Sequence, residues 1–178
     1  MLILAKTALA MMLGFIFAII CGLIFIPVLK KINFRQHVSN LIGERHLQKE
    51  GTPTMGGIIF IFPVLITLFL LYLRGSIEIS HNLIIVLFVF ISYALLGFVD
   101  DWLKVRYHNN QGLRISTKFL LQMVIALVFF YIFMKNGGEP IVDITSLNLA
   151  IPMGWTFGLF ILFLLVGSSN AVNITDGL

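Results

Sequence analysis

LIIVLFVFISYALLGFVDDWLK, residues 83–104, decides how the chain folds. The apolar run Leu83–Val99 is close to the roughly 20 residues that a helix needs to cross a bilayer, and it ends in Asp100 and Asp101. A carboxylate at bilayer depth costs about 2.5–3.5 kcal/mol even on lenient insertion scales, so charge beside a span signals function. Two adjacent carboxylates also repel each other. If the preceding run is a helix, they lie near its C-terminus, where the macrodipole is already negative. A purely structural role would favour Lys or Arg there. A divalent cation would favour the acidic pair, because hard cations take carboxylate oxygens.

The composition agrees with a membrane setting. Of 178 residues, 59% are hydrophobic and 11% charged, and mean hydropathy is +1.02. Soluble domains are about 45–50% apolar and about 25% charged, so the chain reads as one integral membrane domain over residues 1–178. The net charge of +4 and pI near 9.4 reflect cytoplasmic loops, and no nucleic-acid partner is expected. The single cysteine, Cys21, lies in the first apolar run and reads as a small packing residue. His37, His46, His81 and His108 lack metal-ligand spacing.

Working outward from 83–99, further spans fall at about Thr7–Leu29, Gly57–Leu73, Phe119–Met134 and Trp155–Val172, with Pro63 interrupting the second. The expected fold is all-α and polytopic, with about five transmembrane helices. The first run is too long for a signal-peptide core of about 7–15 residues and is read as a retained anchor. Nine of the twelve Lys and Arg residues lie in the loops after the first and third spans: Lys30, Lys31, Arg35, Arg45, Lys49, Lys104, Arg106, Arg114 and Lys118. The positive-inside rule then puts the N-terminus outside and these loops in the cytoplasm. On the outer side, Ile141–Pro152 alternates weakly and suits a short β-hairpin.

Three polar clusters gather at the cytoplasmic face. Lys49-Glu50-Gly51-Thr52-Pro53-Thr54-Met55-Gly56-Gly57 precedes the second span, where a helix N-terminus offers unpaired N–H groups to phosphate. The plainer reading is a turn followed by small packing residues. In the second cluster, Asp100 and Lys104 are four apart and share a face of a continuing helix. Its plainer reading is an interfacial ion pair with Trp102 as an aromatic anchor. The third ends the chain, with Asn170, Asn173 and Asp176 each three apart and roughly on one helix face. These amides suit sugar or base recognition, or hydrogen bonds between helices. Together the clusters fit a magnesium-dependent reaction on phosphate esters near the bilayer surface. A transporter would keep its polar residues nearer the midplane.

The motifs at 49–57, 100–104 and 170–177 closely resemble those of the phospho-N-acetylmuramoyl-pentapeptide transferases, translocase I of peptidoglycan synthesis, within the wider polyprenyl-phosphate sugar-phosphate transferases. The resemblance covers essentially the whole chain. It implies transfer of phospho-N-acetylmuramoyl-pentapeptide from UDP to undecaprenyl phosphate, giving lipid I and UMP, with Mg2+ as cofactor. The setting would be the bacterial inner (plasma) membrane, with a cytoplasmic active site. Family carry-over makes Asp100, Asp101 and Asp176 catalytic, with Asp101 and Asp176 at the metal. It makes Lys49, Thr54, Lys104, Lys118, Asn170 and Asn173 substrate-binding. Direct attack and a phosphoryl-enzyme route both remain open. The implied partners are UDP-MurNAc-pentapeptide, undecaprenyl phosphate, the lipid bilayer and, in the full-length form, a second copy of the chain.

Family members have about ten spans, so the chain reads as an N-terminal half, inactive alone. Two other readings compete: a related transferase of UDP-N-acetylglucosamine, and a non-catalytic five-span membrane scaffold.

Overall fold

In lipid, a backbone must satisfy its own hydrogen bonds, and that drives long apolar runs into helices. The computed structural model describes residues 2–31, 54–107 and 112–177. The described residues form α1 (Leu2–Lys31), α2 (Ile58–Leu73), α3 (His81–Tyr107), α4 (Ile115–Lys135) and α5 (Thr156–Gly177), with strands β1 (Ile141–Ile144) and β2 (Leu149–Pro152) between α4 and α5. The described residues are thus mostly helical, with five helices and one small hairpin. Four helices are long and apolar enough to cross a membrane, while α2 has only 16 residues. The apolar runs were legible, but their ends were not. The third helix continues past Asp100 and Asp101 to Tyr107, so the pair does not sit at a helix C-terminus.

Two compact units divide the chain: Met1–Ile79 with Gly97–Leu113, and Ser80–Leu96 with Arg114–Leu178. In the first unit, α1 and α2 pack antiparallel through small residues. A Cβ on Gly14 would lie 3.8 Å from Thr67 Oγ1, and one on Gly22 would lie 3.6 Å from Ile59 Cγ2. Both distances are ordinary van der Waals contact, so these glycines lie against the facing helix, as small residues often do between membrane helices. The Phe25 and Phe62 rings meet at 5.8 Å. At the far end, Lys6 Nζ donates to the Ser76 carbonyl at 3.3 Å. Elsewhere α1 exposes Leu4, Met11, Phe15 and Leu23, a surface suited to lipid.

The second unit pairs α4 with α5, also antiparallel. A Cβ on Gly158 would come within 3.2 Å of the Phe130 ring, and Phe133 meets Phe157 at 5.7 Å. Both α2 and α4 end in the same way. Gly75 (φ +63°) and Gly137 (φ +80°) adopt the left-handed conformation, and the next N–H groups, of Ser76 and Gly138, donate to Leu71 O and Phe133 O at 2.9 Å. This Schellman closure satisfies carbonyls that a helix end would otherwise leave bare. The hairpin pairs Ile141 with Pro152 through Ile144 with Leu149, as the alternation in that segment suggested, and Asn148 (φ +49°) turns the chain.

Thr67 is buried in the α1–α2 seam, and its hydroxyl has no hydrogen-bond partner. An unsatisfied buried hydroxyl costs about 1–3 kcal/mol. Thr67→Val keeps the shape and removes that cost, so its thermal unfolding midpoint in detergent should rise above wild type. A fall would show that the hydroxyl is satisfied.

Candidate active site

The site in the first unit begins with the continuity of α3. Because the helix runs on, Asp100 and Asp101 fall one turn before Lys104. The ammonium bridges both carboxylates: Lys104 Nζ lies 2.8 Å from Asp100 Oδ2 and 3.0 Å from Asp101 Oδ1. The face shared by residues four apart was readable from spacing. The second half of the site was not, because it comes from distant segments.

Asp100 Oδ1 accepts the Leu113 N–H at 2.9 Å. The chain wraps closely enough that a Cβ on Gly112 would clash with Asp100 Oδ1 and stand 2.9 Å from its carbonyl oxygen. Only glycine fits this approach without displacing the carboxylate. Asp101 Oδ2 accepts the Met55 N–H at 3.1 Å. Met55 is only 5% exposed and clusters with Leu29, Ile58 and Val105. It holds φ at +66°, a conformation that non-glycine residues rarely adopt and that gathers at functional sites. Burial of its side chain holds the strained backbone, and the backbone in turn presents its N–H to Asp101.

This contact joins two of the polar clusters. The turn before α2 binds the acidic pair, with a carboxylate where the positive end of a helix dipole favours one. The two acids are not equivalent: the Asp100 side chain is 7% exposed and that of Asp101 32%. Asp101 is therefore the more accessible of the two. Trp102 stacks on Phe98 at 6.2 Å and is partly exposed, as an interfacial anchor would be. Thr54 has its hydroxyl buried without a hydrogen-bond partner. Lys49 lies outside the described residues.

The other predicted residues belong to the second unit. Lys118 lies in the first turn of α4. Asn170, Asn173 and Asp176 lie along α5, and Asn173 is exposed. Asn170 bonds to Gln122 of α4 at 2.8 Å, an interhelical contact of the kind foreseen as the plainer reading. Gln122 itself was missed. The available signal was an amide within the apolar run of α4. Gly112 was missed as well, because no local pattern marks an approach by a residue twelve positions earlier.

For a divalent cation, the described donor set is the two carboxylates, since no group of three or more His, Cys, Asp or Glu side chains gathers among the described residues. Each of their four oxygens meets Lys104 or a backbone N–H in this arrangement.

Apolar helices with a shared acidic pair define a multi-pass membrane protein with a polar cluster around Lys104. The chain belongs to glycosyl transferase family 4, whose family model matches residues 83–178. Residues 49–61 match phospho-N-acetylmuramoyl-pentapeptide-transferase signature 1, the stretch that includes Met55. Similar proteins include the phospho-N-acetylmuramoyl-pentapeptide-transferases of Bacillus licheniformis, 40% identical over 93% of this chain and 51% of the relative, and of Oceanobacillus iheyensis, 38% identical over 93% and 51%. That of Bacillus subtilis is 37% identical over 94% and 51%. The chain spans about half the length of the curated relatives it matches.

Gly112→Ala should force Asp100 off the Leu113 N–H. A hydrogen bond to a charged group contributes about 1.5–3 kcal/mol, and chemical denaturation of the variant should show a loss of that size. Unchanged stability would mean that the carboxylate has room to move.

Proposed function

We propose that this protein serves peptidoglycan synthesis by transferring phospho-N-acetylmuramoyl-pentapeptide from UDP to undecaprenyl phosphate, releasing UMP and forming lipid I. The observation that carries this reading is the bond from Met55, within the matched signature, to Asp101 of the acidic pair. It ties the signature to a carboxylate that is partly open to ligands. The relatives named above carry the same activity in their names.

Both substrates bring phosphate to the membrane surface, so the chemistry consists mainly of positioning and charge compensation. Asp100, held by Leu113 N–H and Lys104, orients the cationic side of the site. Asp101, the more exposed acid, would hold the metal or face the lipid phosphate. Lys104 is placed to exchange a carboxylate oxygen for a phosphate oxygen as substrate enters, since its ammonium forms charge-assisted bonds with either. Mg2+, held by Asp101 and, by the family pattern, Asp176, would neutralise charge on the diphosphate. Asn170 and Asn173 would serve the nucleotide-sugar, and Lys49, Thr54 and Lys118 the polar surroundings of the phosphates. The acidic end of α3 would then face the cytoplasm of the bacterial plasma membrane, where the nucleotide-sugar is found.

The test is lipid I formation from UDP-MurNAc-pentapeptide and undecaprenyl phosphate in membranes carrying the protein from its own gene. Asp101→Asn should abolish turnover while leaving the protein folded. Wild-type turnover in that variant would remove Asp101 from the reaction, and preferential use of UDP-N-acetylglucosamine would reassign the substrate. Lys104→Met tests the metal separately. Without the ammonium the two carboxylates repel each other, so Mg2+ should raise the variant's thermal midpoint more than the wild type's. An equal response in both proteins would argue against a cation at the pair.

A further inference from the structure

Gln122 is a fully buried polar side chain within the apolar helix α4. A buried amide carries two donor hydrogens and an acceptor oxygen that all need partners. Its Nε2 donates to Ser169 Oγ at 3.1 Å, and its Oε1 accepts from Asn170 Nδ2 at 2.8 Å. Asn170 Nδ2 also donates to the Val166 carbonyl at 2.8 Å. This last bond fixes every amide in the set. A carbonyl can only accept, so the Asn170 atom facing Val166 must be nitrogen. Its second hydrogen then requires the oxygen of Gln122, which turns the Gln122 nitrogen toward Ser169. The network has one consistent orientation and no flipped alternative.

In that orientation both Asn170 hydrogens are consumed inside the helix pair. Its Oδ1 takes no hydrogen bond from any described residue and is not among the buried atoms that lack a partner. Asn170 is therefore held to present an oxygen, and only an oxygen, away from α4. We propose that Gln122 is a positioning residue that makes Asn170 a pure hydrogen-bond acceptor, selecting a ligand that offers an N–H or O–H at this point. The inference rests on the reading that Asn170 contacts the nucleotide-sugar. It adds the polarity of the contact and the residue that sets it. An N–H of the base and an N–H or hydroxyl of the sugar share this chemistry, and the choice of probe separates them.

The experiment is a double-mutant cycle on Gln122 and Asn170 in the purified protein produced from its own gene. Kd is read with UMP and with UDP-MurNAc-pentapeptide, and helical circular dichroism and the thermal midpoint verify folding. Gln122→Met keeps side-chain length and removes the amide, and Ser169→Ala releases the Gln122 nitrogen while leaving the helix interface filled. A neutral hydrogen bond supports a change of about three- to ten-fold, so Gln122→Met should weaken binding by that factor and Ser169→Ala by less.

In an Asn170→Ala background Gln122→Met should have no further effect, because a residue acting only through Asn170 is silent once Asn170 is gone. Weakening with both probes assigns the ligand's donor to the nucleotide. Weakening with UDP-MurNAc-pentapeptide alone assigns it to the sugar-peptide. Additive losses in the double variant, or full affinity in folded Gln122→Met, would overturn the proposal while leaving the site reading intact. Full affinity in Asn170→Ala would overturn both.

Discussion

Two carboxylates side by side on one membrane helix repel each other and gain from a shared counter-charge. Lys104 provides it, reaching Asp100 and Asp101 together from one turn away. Much of the first unit follows from this arrangement. The helix must continue past the acids to bring Lys104 round. The remaining carboxylate oxygens recruit N–H groups, one from the turn before α2 and one from the segment after α3. Each recruitment constrains its own donor: residue 112 gives up a side chain, and residue 55 accepts a left-handed backbone. Removing a partner of a buried charge leaves it uncompensated, and Asp100, the buried acid, is held by both Lys104 and the Leu113 N–H.

The sequence made some of this readable and hid the rest for a physical reason. Hydrophobic runs located all five helices, and the i,i+4 relation located the Lys104 bridge, because both depend on residues close in sequence. The end of α3 was misjudged since the hydropathy of Asp100 and Asp101 marks a stop, whereas their neutralisation by Lys104 permits continuation. Met55 lies 46 positions from Asp101, and Gln122 lies 48 from Asn170, and no local pattern encodes such pairings. Within the acidic motif, spacing also gave no hint that one acid is buried and its neighbour open. That difference arises from what wraps over Asp100.

The two units solve the same packing problem in different ways. Between α1 and α2 the seam sets Gly14 against Thr67 and Gly22 against Ile59, with the Phe25 and Phe62 rings meeting across it. Between α4 and α5 the apolar end is filled by Phe130, Phe133 and Phe157, and the opposite end is closed by the amides of Gln122 and Asn170. Aromatic rings tolerate some sliding between helices. A directional amide network does not, so it sets the register at the end where α5 carries its polar residues.

The shortness of α2 bears on the surrounding lipid. At 16 residues and about 1.5 Å of rise per residue it spans only about 24 Å, less than the roughly 30 Å of a typical hydrocarbon core. Its first turn lies immediately beyond Met55, whose N–H meets Asp101. Hydrophobic mismatch of this sign draws headgroups inward beside the helix or thins the bilayer locally. Such thinning would bring the headgroup layer closer to the acidic pair. Acyl-chain length in the host membrane thereby becomes a variable that acts on the site itself.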